Sequence, residues 1–198
     1  MAYDKEFIAA KLIRWKKYIQ NFKLPQWQEI PDIGLYMEQV ITLLKQYLDY
    51  LPPDLKEEQF ITASTINNYV RTKVMPEPRK KLYYREHIAY LIIILTLKQS
   101  LSLSMIQKIL PKDLEEENLK EIYTQYVKRH SSATELLCER VEQAAEPLFE
   151  KNDDSQDMIN NQVLNIILNS AILGGFTRIL SEKLILLDGR TTGDDSTT

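Results

Sequence analysis

Cysteine is almost absent from this chain: one residue, Cys138, in 198. A single thiol excludes an internal disulfide and a cysteine-built zinc knuckle. Histidine is nearly as scarce, with only His87 and His130, which leaves little for metal ligation or general-base chemistry. Five glycines and eight prolines are too few for the many turns of a sandwich or barrel. The two common phosphate cradles, G-x-G-x-x-G and G-x-x-x-x-G-K-[ST], are missing. Nothing resembles a nucleophile elbow or a Ser/His/Asp set. No catalytic residue, cofactor or metal is therefore expected, and an enzyme is the least favoured reading.

Long apolar runs are missing too. The longest unbroken one is Ile88 to Leu95, far short of the ~20 residues that span a bilayer. Val163 to Leu173 is apolar but interrupted by Asn165, Asn169 and Ser170. The first residues, Met1 to Phe7, carry charge where a signal peptide needs an apolar centre. The expectation is a cytoplasmic protein with no membrane attachment and a reduced, buried Cys138.

Helical periodicity is what the chain has in quantity. Hydrophobic residues make up 44% and charged residues 27%, an ordinary globular balance. Phe7, Ile8, Leu12, Trp15, Ile19 and Phe22 recur at helical spacing and predict an amphipathic helix, whose basic side is either the wet side of a packing helix or a flank of a polyanion site. After Pro25 and Pro31, Asp32 is placed to cap a second helix, whose stripe runs Met37, Val40, Ile41, Leu44, Leu48, Leu51 up to Pro52-Pro53. A short helix follows over 62–72, then a loop with a small two-stranded wing ending at Tyr84. A buried helix spans 85–99, and a short one capped by Ser102 ends before Pro111. Beyond it, Leu137, Val141, Ala144, Ala145 and Leu148 form one stripe, and a last apolar helix contains Gly174-Gly175. The predicted division is 1–30 for the N-terminal helix, 31–111 for the central domain, 112–187 for a helical dimerisation and effector region, and 188–198 for a disordered tail without apolar residues.

Charge is distributed unevenly. Between Thr62 and Arg85 six bases face one acid, a net of +5, although the whole chain carries −3. Such a basic patch on an acidic body is the footprint of a polyanion site. On the 62–72 helix, Ala63, Ile66 and Val70 share an inward face. Thr65, Asn67, Asn68, Arg71 and Thr72 point outward, side chains of the kind that reach base edges and phosphates. A short polar-faced helix after another helix and before a basic wing has winged helix-turn-helix geometry.

Thr65-Ile66-Asn67-Asn68-Tyr69-Val70 resembles the recognition-helix signature T-L-R-Y-Y-E of the MerR family of bacterial transcription regulators. Lys81-Leu82-Tyr83 resembles that family's wing motif R-x-Y, and Leu101-Ser102-Leu103-Ser104-Met105-Ile106 its fourth helix. Asn67 stands for the usual arginine, Asn68 for the first tyrosine, Val70 for the glutamate and Lys81 for the wing arginine. Leu35-Tyr36-Met37-Glu38-Gln39-Val40 together with Ile66-Asn67-Asn68-Tyr69 also looks like an uncharacterised bacterial family, a domain of unknown function thought to be MerR-like. The resemblance covers 31–111.

It implies an all-α protein with a MerR-like winged helix-turn-helix that regulates transcription by binding double-stranded DNA. Thr65, Asn67, Asn68 and Arg71 are the expected base or edge contacts. Lys73, Arg79, Lys80, Lys81, Tyr83 and Arg85 are the expected phosphate contacts. One short helix reads too few base pairs alone, so a homodimer is expected through Ile159, Val163, Ile166 and Leu173, with an unidentified small-molecule effector as a further partner. The alternative is a helical adaptor that keeps the same fold for protein binding.

Overall fold

The computed structural model describes residues 2–49, 61–149 and 155–190. Among them the architecture is all-α, with seven α-helices and no strand. The helices are α1 (Lys5–Asn21), α2 (Met37–Tyr47), α3 (Ala63–Arg71), α4 (Arg85–Leu97), α5 (Leu103–Ile109), α6 (Glu116–Phe149) and α7 (Gln156–Leu186). The predicted stop of the second helix at Leu51 and Pro52-Pro53, the polar break at 151–154 and the tail beyond Arg190 lie outside the described residues.

The core is built round α4. Ile88 to Leu95 are all buried, because helices α2, α5 and α6 pack on different sides of it. A helix apolar round its whole circumference needs such enclosure. Thr96, at its end, returns its hydroxyl to the Ile92 carbonyl at 2.8 Å. Tyr90 donates to the Pro111 carbonyl at 2.6 Å, and burial pushes its phenol up to about 12.

Helix α1 lies along α6, so its basic side is the wet side of a packing helix. Asp4 caps it, accepting from the Phe7 amide at 2.7 Å. The stripe departs from expectation at its start: Phe7 is exposed, with Lys11 over its ring. On α6 the buried line runs through Cys138, Ala145 and Leu148, while Leu137 and Ala144 are exposed. Cys138 meets the α1 backbone, which gives the thiol its buried, small-hydrophobe place.

Between α1 and α2 the chain is extended apart from one 3-10 turn at Trp27–Glu29. Leu24, Trp27, Ile30 and Leu35 anchor it in the core. Tyr123 of α6 donates to the Pro25 carbonyl at 2.8 Å and meets the Trp27 ring edge-on. Asp32 does not cap α2. The cap is at Tyr36, whose amide donates to Gln39 Oε1 at 2.9 Å. Asp32 instead pairs with Arg85 at 3.5 Å.

His130 of α6 lies between Phe22 and Tyr126, and burial lowers its pKa from the ordinary 6.5. The unfolded chain therefore takes up this proton at higher pH than the folded one. Stability contributed here is present above about pH 6.5 and is lost as pH falls through the folded value. Urea midpoints of the native chain should drop across that window by more than those of a His130→Phe variant; parallel profiles would refute the assignment.

Candidate nucleic-acid interface

Helix α3 starts and stops on its own side chains. Thr62 caps it, accepting from the Thr65 amide at 3.1 Å. At the other end, the Lys73 amide donates to the Val70 carbonyl and the Val74 amide to the Tyr69 carbonyl, both at 3.0 Å. That pair of bonds is a Schellman closure, which places Lys73 in the left-handed position usually held by glycine; its φ is 58°. Gln107 of α5 secures the same residue by donating to the Lys73 carbonyl at 3.0 Å.

The inward face of α3 is Ile66 and Tyr69, both buried. Val70 is half-buried and Ala63 is exposed, so the inward face is turned one residue from the expected one. Asn67 and Arg71 are exposed, as is Ser64, which the sequence reading passed over. Asn68 is half-buried and accepts from Arg71 Nη2 at 2.7 Å. It therefore aims the guanidinium. Thr65 is half-buried, and its hydroxyl lies 2.9 Å from that of Thr62. As a cap partner, Thr65 is not the outward base contact expected of it.

The wing region is smaller than a two-stranded sheet. Arg79 and Leu82 form one antiparallel bridge with two 3.0 Å backbone bonds. Between them Lys80 and Lys81 turn the chain with φ of 52° and 65°. Two consecutive left-handed residues make a type I′ hairpin turn, which favours Asn-Gly. Tyr83 pairs with Leu35, exchanging backbone bonds of 2.8 and 2.9 Å. Gly34 makes this approach feasible, since a Cβ there would come within 3.0 Å of the Leu82 side chain.

Lysines are thus the only non-glycine residues at positive φ among the described residues. All three, Lys73, Lys80 and Lys81, are exposed and sit beside Arg71 and Arg79 in the basic stretch. Arg79 is exposed but partly engaged, pairing with Glu86 and lying over the Tyr84 ring.

Two expected phosphate contacts are corrected. Tyr83 is 3% exposed, and burial raises its phenol above the ordinary value; it belongs to the core below the hairpin. Arg85 points inward, donating from Nε to the Ile30 carbonyl at 3.0 Å and lying over Trp27. Its charge is used to fasten the segment before α2.

The expected dimer residues divide. Ile159 and Val163 are buried within the chain, Ile166 is half-buried and Leu173 is exposed. Among the described residues no cluster of His, Cys, Asp and Glu is placed to hold a metal.

Residues 25–126 match the model of a family described as Domain of unknown function (DUF1836). The match takes in the extended segment, α2 to α5 and the first part of α6, and leaves out α1 and α7. No curated protein and no solved structure matches the chain.

Proposed function

The chain belongs to the DUF1836 family, and we propose that it is a sequence-specific, DNA-binding transcription regulator with a MerR-like winged helix-turn-helix. In this reading α2 and α3 are the helix-turn-helix, α3 enters the major groove, and the Arg79–Leu82 hairpin is the wing. The observation that carries it is the juxtaposition in one stretch of an exposed polar helix face and five exposed cations, Arg71, Lys73, Arg79, Lys80 and Lys81. Cations that hold phosphates need exposure and a fixed frame. The Schellman closure and the type I′ turn supply that frame at some cost in backbone strain.

Asn67 and Arg71 are the residues for base and edge contact, with Asn68 aiming Arg71. An amide can pair bidentately with adenine, and a guanidinium with guanine or a phosphate. Selection of bound duplexes from a random pool should yield one enriched motif. Against that duplex, Asn67→Ala should keep the melting temperature and relax one position by about 1–3 kcal/mol. Arg71→Ala should lower affinity. If no motif is enriched and binding to the pool does not depend on salt, the helical adaptor becomes the better reading.

A further inference from the structure

The exposed side of α3 is narrow and graded. Ile66 and Tyr69 are buried, and Thr65 is tied to the cap. At about 3.6 residues per turn, Ala63, Ser64, Asn67 and Arg71 fall within a strip about 100° wide that faces away from Ile66 and Tyr69. Each of them is exposed. Side-chain length rises along the strip, from the methyl of Ala63 and the hydroxyl of Ser64 through the Asn67 amide to the Arg71 guanidinium. Short side chains let a backbone approach closely, so a surface of this profile docks deepest at the start of the helix.

Charge is graded in the same sense. The first turn of α3 carries none, and the strip carries no acid. The exposed cations, Arg71, Lys73, Arg79, Lys80 and Lys81, all lie in the last turn or beyond it. Cations hold phosphates at the rim of a groove, and neutral side chains meet base edges at its floor.

Each base asks for a different reader in the major groove. Guanine takes Arg or Lys, cytosine takes Asp or Glu, adenine takes Asn or Gln, and the 5-methyl of thymine takes an apolar contact. The first half of the strip has no cation for guanine and no acid for cytosine. Asn67 has the amide for adenine, and Ala63 has the methyl for thymine. Ser64 suits any base and discriminates little. From Ala63 to Asn67 the helix rises about 6 Å, against about 3.4 Å per base pair.

We propose that Ala63 is a specificity-determining residue of the DNA site. Its methyl packs on the 5-methyl of a thymine about two base pairs from the adenine that Asn67 reads, so A·T pairs lie under the first half of α3. The inference rests on the reading of α3 as the groove helix and adds which bases it reads. Ala63 is the exposed first residue of the helix, after Thr62 has taken the cap, so the fold itself sets no demand for a methyl group there.

The test uses the full chain and the duplex enriched from a random pool, with each thymine replaced in turn by deoxyuridine, which lacks only the 5-methyl. One thymine should lose about fourfold in affinity, the worth of one buried methyl. It should lie about two base pairs from the position that Asn67→Ala relaxes. In Ala63→Gly the thymine and uracil duplexes should bind equally, while Ser64→Ala should keep the native preference for thymine. The uracil comparison needs no variant, so it decides even if Ala63→Gly fails to fold. An enriched motif in which no thymine responds, or in which Ala63→Gly keeps the native ratio, overturns the assignment of Ala63 and leaves α3 as the groove helix. Loss of the thymine preference in Ser64→Ala moves the contact to Ser64 and overturns it too. So does a responding thymine adjacent to the Asn67 position or a full turn of DNA away from it. If no motif is enriched, the groove reading of α3 falls, and this inference with it.

Discussion

Exchanging Lys80 for Asn and Lys81 for Gly is expected to stabilise the fold and weaken duplex binding at the same time. Both lysines hold left-handed backbone, at φ of 52° and 65°. For a residue with a Cβ that conformation costs about 1–2 kcal/mol, and Asn-Gly is the pair that relieves it in a type I′ turn. The double exchange should therefore raise stability by about 1–2 kcal/mol, measured by urea unfolding. The same exchange removes two cations from the hairpin tip. If each holds a phosphate, the log–log salt slope of binding should shrink by about 1.8, at roughly 0.9 per contact. Affinity at moderate salt should fall by one to two orders of magnitude on that scale. Opposite signs in the two measurements would mark the strain as maintained for binding. Greater stability with unchanged affinity and slope would remove the tip from the interface.

The helices were largely legible because their signals are local. Ser102 caps where its place before the short helix put it, the helix expected over 62–72 forms as α3, and the continuous apolar run of α4 could only be a central helix. The misreadings share one cause: they concern where a side chain points, which distant residues decide. Arg85 looked like part of the basic patch, but the Ile30 carbonyl, Asp32 and Trp27 draw it inward. All three lie more than fifty positions earlier in the chain. Tyr83 belongs by sequence to the wing, but its isolated bridge to Leu35 holds it in the core. Asp32 resembled a cap, and Gln39 took that role from the third position of the helix.

The candidate site was legible in its charge and less so in its geometry. Lys73, Arg79, Lys80 and Lys81 are exposed as their composition suggested. Nothing in Lys80-Lys81 announces a type I′ turn, since glycine or asparagine would be the usual signal. Likewise Lys73 gives no hint of a helix closure that normally takes glycine. The interruptions at Asn165, Asn169 and Ser170 made α7 look less apolar than it is. Its exposure could be read only once the rest of the core had closed without it.

The second large effect is expected at His87, which is 1% exposed and joins the hairpin to α4. Its Nδ1 accepts from the Tyr84 amide at 3.1 Å. A nitrogen that accepts a backbone N–H carries no proton of its own, so the ring proton sits on Nε2 and is donated to the Glu77 carbonyl at 3.0 Å. The ring thus satisfies one backbone donor and one backbone acceptor of the loop that carries Arg79, Lys80 and Lys81. His87→Leu leaves both groups without a partner. Both bonds are part-buried and a buried unsatisfied group costs about 1–3 kcal/mol, so a loss of roughly 1–3 kcal/mol is expected in urea unfolding. His87→Gln is the informative companion. Gln39 already performs the capping half of this task at the start of α2, and a glutamine amide offers both an acceptor and a donor. It should recover about half of the loss or more. Duplex binding should follow the same order, retained in the glutamine variant and reduced in the leucine variant at temperatures where both are folded. Equal stability of the two variants, close to that of the native chain, would show that the loop is held without the imidazole.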